Sequence, residues 1–258
     1  MDDEQHQHLK ELHHSLQRRL YILELQSARF GIYAPPHILI EISDLRKEIF
    51  SINTQLTKAQ QSVSLFSEQQ AISILFLSAE PTDTVRLRLS EEFRDIQESL
   101  QLAKLRERFS LEQRMSVRPA DISQALLDME PQIVHFSGHG SSTGALCFED
   151  KVGGIHPVTP DAMAALFEQF ANCVNCVVLN ACYSEIQANA IVRHISCVIG
   201  MNQELGDQTA IAFAIGFYQA LGAGRTIDEA YKLGVVQIRL QGIPEHLTPV
   251  LLKKRKEQ

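Results

Sequence analysis

Residues 132–140 read QIVHFSGHG, and residues 175–182 read NCVVLNAC. Each stretch is a short apolar run that ends in small and reactive residues. The length and β-branched content of the first run predict a buried strand, and two glycines bracket His139 where that strand must end. The second run predicts another buried strand, after which Cys182 precedes a helix-like segment. The two stretches therefore place a histidine and a cysteine at two strand ends.

The C-terminal ends of parallel strands form the edge of an α/β sheet at which ligands bind and chemistry occurs. If the two predicted strands are neighbours, the imidazole of His139 and the thiol of Cys182 face one crevice. Such a pair, distant in sequence but placed at two strand ends, favours catalysis by a nucleophilic thiol. Taken singly, a cysteine that ends a strand is commonly a small core residue, and a lone histidine is commonly structural. Their joint placement favours the catalytic interpretation.

At these residues the chain resembles the CHAT domain family, bacterial relatives of caspases and separase. The resemblance is carried by HFSGHG at 135–140 and LNACYS at 179–184, and is supported by ILFLSAEP at 74–81, VIGM at 198–201 and GIPEHLTPVLL at 242–252. It extends over about residues 72–252 and implies a caspase-like fold. The separation of 43 residues between His139 and Cys182 is close to the roughly 50 of caspases.

The resemblance to caspases implies that His139 and Cys182 are the catalytic dyad and that the N–H of Gly140 is an oxyanion donor. The N–H of Cys182 would supply the second donor of the oxyanion hole. A cysteine attacks as the thiolate, and the dipole of a helix predicted to begin at Ser184 favours that negative charge. His135 shares the pleat face of His139 and is expected to be a buried, hydrogen-bonded strand residue.

Three residues are candidates for substrate binding. In caspases the residue two positions before the cysteine lines the primary pocket, which here is Asn180. The loop at 201–207 matches the region where separase carries an acidic pocket residue, so Glu204 or Asp207 would select a basic side chain before the cleaved bond. The alternative for Asp207 is that it only caps the following helix.

The 258-residue chain has a formal net charge of −7 and 45% hydrophobic residues, which indicates an ordinary globular protein with a sizeable core. A basic run occurs only at 253–256, so nucleic acid is not expected as a partner. No apolar run approaches the about 18 residues of a membrane span, and the polar first ten residues lack the apolar region of a signal peptide. We therefore expect a cytoplasmic protein with no membrane span.

The sequence predicts neither a metal nor a cofactor. Five cysteines, an odd number, are expected to be reduced thiols. The single CxxC pattern at 173–176 lacks a second pair or a histidine at zinc spacing. No GxxxxGK[ST] or GxSxG pattern is present. A nucleotide-binding α/β module has only the glycines at 138–144 in its favour.

From residue 71 onward, strand-like and helix-like segments alternate, which predicts an α/β fold with a mostly parallel sheet and helices on both faces. A helix capped by Asp83 is expected to carry Val85 and Leu100 on one face. A β-hairpin flap is predicted at 143–155 and a helix at 184–194. Further strands are predicted at 72–78, 109–119, 196–201 and 248–252, the last at a sheet edge.

The first quarter of the chain predicts an N-terminal helical hairpin. Leucines recur every seven residues within 5–30, Pro35 and Pro36 end that helix, and apolar residues at 38–56 follow a heptad seam. We expect a hairpin at 1–60 for assembly or recruitment, a linker at 61–70, and a caspase-like CHAT peptidase domain at 71–258.

The function predicted from these patterns is a cysteine endopeptidase that cleaves a protein substrate. The resemblance implies a pathway of bacterial defence or regulated death. The segment 183–195 reads as a helix and offers no cleavable linker, so activation is expected through a partner protein or through self-assembly by residues 1–60. The alternative is a catalytically silent caspase-like scaffold that recruits partners through the N-terminal hairpin.

Overall fold

The computed structural model describes residues 12–13, 15–20, 23, 35, 38, 41–49, 52 and 71–255. The chain forms two compact units, residues 1–67 and residues 68–258. The predicted linker at 61–70 and most of the predicted hairpin at 1–60 lie outside the described residues.

In the first unit, residues 15–20 and 41–49 are helical, as the apolar spacing predicts. Arg19 Nη2 lies 2.5 Å from Glu41 Oε1, so an ion pair connects the two helical stretches. The described seam residues are buried at Ile38, Ile42, Leu45 and Ile52. The assembly role of this unit remains a prediction.

The second unit is built on one large sheet. Its strands are β1 (Ile72–Ala79), β2 (Phe109–Arg114), β3 (Ile133–Gly140), β4 (Leu146–Glu149), β5 (Ile155–Val158), β6 (Cys176–Asn180), β7 (Cys197–Met201) and β8 (Pro249–Lys253). The main path has the order β2-β1-β3-β6-β7-β8. All neighbours on this path are parallel except β8, which runs antiparallel to β7 at the edge. The strands containing the two decisive stretches, β3 and β6, are direct neighbours.

A β-hairpin of β4 and β5 extends from the end of β3, where Cys147 pairs with His139 and Leu146 with Gly140. The predicted flap is therefore confirmed, although its second strand begins at Ile155. Residues 150–154, which connect β4 and β5, form a tight turn in which the carboxylate of Asp150 accepts hydrogen bonds from the N–H groups of Val152 and Gly154.

Helices cover both faces of the sheet, which confirms the predicted fold class. They are α1 (Leu89–Gln101), α2 (Pro119–Met129), α3 (Pro160–Gln169), α4 (Glu185–Ile191), α5 (Asp207–Gly222) and α6 (Ile227–Leu240), with a short 3₁₀ turn at Arg106–Arg108. On one face α2, α3 and α4 pack over a hydrophobic core that includes Leu77 and Leu179. On the other, Phe76 contacts Phe93 of α1, and His135 contacts the ring of Tyr218 on α5. No helix in the described ranges is both long and apolar enough to cross a membrane.

Two predicted helix boundaries are wrong. The helix after β1 begins at Leu89, with Arg88 at its N-cap position, and residues 80–88 form a loop in which Val85 is 79% exposed. This loop is stabilised by its own hydrogen bonds, since the Glu80 carboxylate accepts from the Leu87 N–H. The helix predicted at 184–194 is shorter, because only Glu185–Ile191 is α-helical.

Candidate active site

A narrow crevice lies at the C-terminal edge of β3 and β6. Ser137 and Asn180 are the last paired residues of the two strands, and His139 and Cys182 each follow two positions later. Both His139 and Cys182 line the crevice, as the sequence predicts. The volume accessible to water in it is about 30 Å³, which is room for about one water molecule.

The imidazole of His139 is oriented by a backbone carbonyl. Its Nε2 lies 2.8 Å from the carbonyl oxygen of Val85. A carbonyl oxygen only accepts, so Nε2 carries the proton and Nδ1 of the neutral ring is left as an acceptor. This arrangement leaves His139 with one nitrogen able to take a proton. Sequence reasoning missed Val85, because it acts through a backbone group that every residue has.

The loop that presents the Val85 carbonyl is tied to the β4–β5 hairpin. The N–H of Glu80 donates to Glu149 Oε1 at 3.1 Å, and the N–H of Thr82 donates to the carbonyl of Gly153 at 2.8 Å. The orientation of His139 is therefore connected to the hairpin through the loop 80–88.

Cys182 is half-buried and faces the segment 202–206. The N–H of Leu205 donates to Cys182 Sγ at 3.3 Å, and the N–H of Tyr183 donates to the carbonyl of Gln203 at 3.2 Å. Tyr183 has a positive φ of 55°, which is uncommon for a bulky residue and redirects the chain between β6 and α4. The helix dipole expected to act on Cys182 is weak, because α4 has seven residues and its first turn contains Glu185.

Gly140 lies against the backbone of Cys182. A Cβ atom at position 140 would be 2.0 Å from the Cys182 carbonyl oxygen and 3.2 Å from its nitrogen. Only glycine fits there, and the backbones that carry the two predicted oxyanion donors are adjacent.

A buried polar cluster lies beneath the crevice and was missed from the sequence. Glu92 of α1 is 3% exposed and accepts hydrogen bonds from Asn180 Nδ2 at 2.5 Å, from His135 Nε2 at 2.9 Å and from the Ser137 hydroxyl. His135 Nδ1 lies 3.1 Å from the hydroxyl of Tyr218. His135 is fully buried, which confirms its interpretation as a hydrogen-bonded strand residue.

The three predicted substrate-binding residues differ in position. Asn180 lines the crevice but is buried, and its Nδ2 also donates to the Ala210 carbonyl at 3.3 Å. Its Oδ1 is buried and has no hydrogen-bond partner among the described residues. Asp207 also lines the crevice, whereas Glu204 is exposed and is not part of its lining.

Asp207 is the first residue of α5, and Gly206 occupies the N-cap position with no side-chain cap. The capping alternative is therefore not supported. Burial raises the pKa of Asp207; the charge and backbone N–H of Arg88 oppose this shift, and Glu92 adds to it.

Four of the five cysteines lie outside the crevice lining, and all five are free. Burial raises the pKa of Cys147, Cys173 and Cys176, and it raises the pKa of Cys197 to about 11. Since only the thiolate is reactive, these four thiols are poor nucleophiles near neutral pH. No group of three or more potential metal ligands occurs among the described residues.

The sequence model of the CHAT domain matches residues 45–245. The chain belongs to the CHAT domain family. The match covers most of the chain and begins within the helical stretch 41–49, earlier than the residue 72 suggested by the motifs.

Two relatives carry names that refer to proteolysis. A Roc-COR-CHAT protease from an unknown prokaryotic organism is 25% identical over 229 residues, covering 83% of this chain and 20% of that protein. A probable protease from Gillisia limnaea is 26% identical over 199 residues, covering 71% of this chain and 35% of that protein. The chain thus spans about a fifth and about a third of the length of these relatives.

Among solved structures, the chain resembles a secreted C11 cysteine protease from Bacteroides thetaiotaomicron. The TM-score is 0.51 at 12% sequence identity, and the likeness covers 71% of this chain and 66% of that one. This likeness concerns the fold: a CHAT-family α/β domain shares its architecture with a cysteine protease.

Proposed function

We propose that this chain is a cysteine endopeptidase in which Cys182 is the nucleophile and His139 is the general acid and base. The observation that carries the proposal is the crevice lined by both side chains, with His139 Nε2 bound to the Val85 carbonyl. Because that bond occupies the protonated nitrogen, Nδ1 is the nitrogen left to act on the thiol. The names of the relatives support the same reaction class.

In the acylation step, His139 Nδ1 takes the thiol proton and Sγ of Cys182 bonds to the scissile carbonyl carbon. The carbonyl electron pair moves onto oxygen, which the N–H groups of Gly140 and Cys182 stabilise; one such donor is typically worth roughly 3–4 kcal/mol. The imidazolium then protonates the leaving amine as the C–N bond breaks. A water deprotonated by His139 next attacks the thioester and releases the acid and the free thiol.

For specificity, we propose that the primary pocket favours a basic residue before the cleaved bond. Asp207 contributes a half-buried carboxylate to the crevice, and Asn180 contributes a carbonyl oxygen that has no donor. A lysine or arginine side chain supplies both the positive charge and the missing donor. Glu204, the other acidic candidate for selecting a basic side chain, is exposed and stays a prediction.

We propose that activity requires opening of the crevice by a partner or by self-assembly through residues 1–60, in a pathway of bacterial defence. The crevice has room for about one water molecule, and the backbone of Leu205 contacts the thiol. The segment 202–206 therefore restricts the access of a peptide to Cys182, and its movement is the proposed opening step. The greater length of the relatives fits a trigger in additional protein regions or in a partner.

The test is labelling of the full chain with a peptide-based, thiol-directed electrophile, with lysine, arginine, leucine or aspartate before the reactive group. Cys182→Ala and His139→Ala are compared with wild type, and Cys173→Ala and the exposed His156→Ala serve as matched controls. We expect labelling at Cys182 that is lost in the first two variants, kept in the controls, and fastest with the basic peptides.

Labelling that is unaffected by His139→Ala, or that is spread over several cysteines, contradicts the proposal and favours the silent scaffold. Equal rates for all four peptides contradict the basic pocket while leaving the dyad intact.

A further inference from the structure

Glu92 is the single buried carboxylate among the described residues, and it lies at the floor of the crevice. A buried carboxylate is unfavourable unless hydrogen-bond donors surround it. Three donors do so here, from Ser137, His135 and Asn180. The catalytic steps proposed above do not use Glu92, so its burial requires another explanation.

The donors to Glu92 come from two neighbouring strands at matching positions. Ser137 of β3 and Asn180 of β6 are directly opposite in the ladder, and they form its last pair. Beyond this pair the β3–β6 ladder ends, because β3 continues into its pairing with β4 while β6 ends. His139 and Cys182 therefore both lie beyond the point at which β3–β6 backbone hydrogen bonds fix their separation.

The same cluster connects the two strands and the two helices that line the crevice, namely α1, β3, β6 and α5. Glu92 belongs to α1, and its donors belong to β3 and β6. Asn180 also donates to the carbonyl of Ala210 in α5, and His135 contacts the hydroxyl of Tyr218 in the same helix. Hydrogen bonds thus link the Glu92 carboxylate directly to β3 and β6, and through Asn180 and His135 to α5.

We propose that Glu92 is a positioning residue that holds the last β3–β6 pair together and thereby sets the distance between His139 and Cys182. This inference rests on the proposed function of these two residues. Glu92 touches neither reacting atom; it acts through Ser137 and Asn180. We call the hydrogen bonds of Glu92 to Ser137 and Asn180 the clamp. Misplacement of a catalytic group by 1 Å can reduce a rate by about 10²-fold. Loss of the clamp therefore slows the chemical step more than it changes peptide binding.

The chain offers a matched control at the opposite end of the sheet. The hydroxyl of Ser73 in β1 donates to Gln132 Oε1 at 2.8 Å, so Ser73→Ala removes one serine hydrogen bond to a neighbouring side chain without touching the crevice. Ser137→Ala removes one serine hydrogen bond to Glu92. The two variants differ in the location of the lost bond.

The experiment measures the maximal rate and the half-saturating concentration for labelling of Cys182 by the peptide electrophile, well below the melting temperature of each full-length variant. We expect a maximal rate about 10-fold lower for Ser137→Ala and about 10²-fold lower for Glu92→Leu, with half-saturation within about 3-fold of wild type. Glu92→Gln keeps the acceptor oxygen and is expected to stay within about 5-fold. Ser73→Ala is expected to match wild type, and Ser137→Ala is expected to cause no further loss in the Glu92→Leu background.

Hydrogen exchange of segments 137–140 and 180–182 is measured in parallel, because it reports the clamp independently of activity. Faster exchange in Ser137→Ala than in Ser73→Ala supports the clamp. Wild-type labelling rates in Ser137→Ala and Glu92→Leu, with lower melting temperatures alone, overturn the positioning role. If Glu92→Leu does not fold, Ser137→Ala and Glu92→Gln decide the question. If wild type shows no His139-dependent labelling, the proposed function fails, and unchanged exchange in Ser137→Ala is then the result that overturns the clamp.

Discussion

At position 140 the chain has space for a hydrogen atom and for nothing larger. A methyl group there would sit 2.0 Å from the Cys182 carbonyl oxygen, which is backbone and cannot rotate away. Gly140→Ala is therefore expected to displace Cys182, to cost about 1–3 kcal/mol of stability, and to slow labelling of Cys182 by about 10²-fold. Thermal unfolding and labelling of the folded protein measure the two effects separately.

Gly242→Ala is the control for this variant. Gly242 has a φ of +72° but open space around its Cβ position. We expect a stability loss of about 1–2 kcal/mol and an unchanged labelling rate. A wild-type labelling rate in Gly140→Ala would contradict an oxyanion hole formed by the N–H groups of residues 140 and 182.

Asp207 makes the proposed basic specificity dependent on pH. Burial raises its pKa above the ordinary aspartate value of about 3.9, although Arg88 opposes the shift. The carboxyl is neutral below its pKa, so the preference for arginine over leucine peptides is expected to fade as pH falls, beginning above the usual aspartate range. The ratio of labelling rates between pH 4 and 8 measures this.

Asp207→Asn is expected to make that ratio independent of pH, whereas Asp161→Asn, at a side chain that is 94% exposed, leaves it unchanged. The raised pKa also means that the folded state holds the Asp207 proton more tightly than the unfolded state. Ionisation of Asp207 therefore lowers stability as pH rises through its pKa, and Asp207→Asn is expected to be slightly stabilising at pH 7. A pH-dependent ratio in Asp207→Asn would assign the preference to another group.

The placement of the two decisive residues could be predicted from the sequence, and the groups that orient them could not. His139 and Cys182 each end an apolar strand, which is a pattern of side chains. Val85 contributes a backbone carbonyl, so no residue type marks it. Glu92 did leave a signal, because it is a carboxylate three residues after Leu89 and four before Ile96 on the buried stripe of a helix.

At the scale of elements, apolar periodicity located the strands and misplaced two helix boundaries, of which the start of α1 concerns the site. Val85 lies four residues before Leu89, so the helical spacing continues into the loop by coincidence. The hydrogen bonds of Glu80 and Thr84 within the loop compete successfully with helix formation there. The same loop presents the Val85 carbonyl, so the failed prediction falls on a part of the site.

The segment 202–206 lines the crevice beside Cys182 and is proposed to close it, and Glu245 binds the end of this segment. Glu245 Oε2 accepts hydrogen bonds from the Gly206 N–H at 3.1 Å and from the Thr209 hydroxyl at 2.5 Å. Glu245→Ala removes both acceptor contacts and is expected to loosen Leu205 from the thiol. Labelling of Cys182 in the absence of any partner is then expected to rise several-fold, measured as the second-order rate constant.

Glu229→Ala is a matched control, because Glu229 likewise accepts from a backbone N–H and a threonine hydroxyl, both of Thr226, at the start of α6. It is expected to lower stability slightly and to leave labelling unchanged. An equal rise in both variants would indicate general loosening, and no rise in Glu245→Ala would contradict closure by the segment 202–206.

At the scale of the whole molecule, the family match and the compact units do not share a boundary. The CHAT match begins at residue 45, whereas the chain divides after Ser67. Sequence patterns indicated helices before the linker and an α/β domain after it, because heptad spacing and strand–helix alternation are distinct signals. They did not indicate that the family region includes part of the second helical stretch.

This arrangement makes independent stability of the two units a testable property. Leu45 is 6% exposed in the first unit, and Leu126 of α2 is fully buried in the second. Leu45→Ala is expected to cost about 2–5 kcal/mol and to accelerate hydrogen exchange within residues 41–52, while β1 and β3 keep their protection because the second unit has its own core. Leu126→Ala is expected to give the reverse pattern. Loss of protection in both units from either variant would show that the two units unfold together. Residues 1–60 would then belong to the same folding unit as the candidate site. In that case Leu45→Ala should also lower the labelling rate of Cys182.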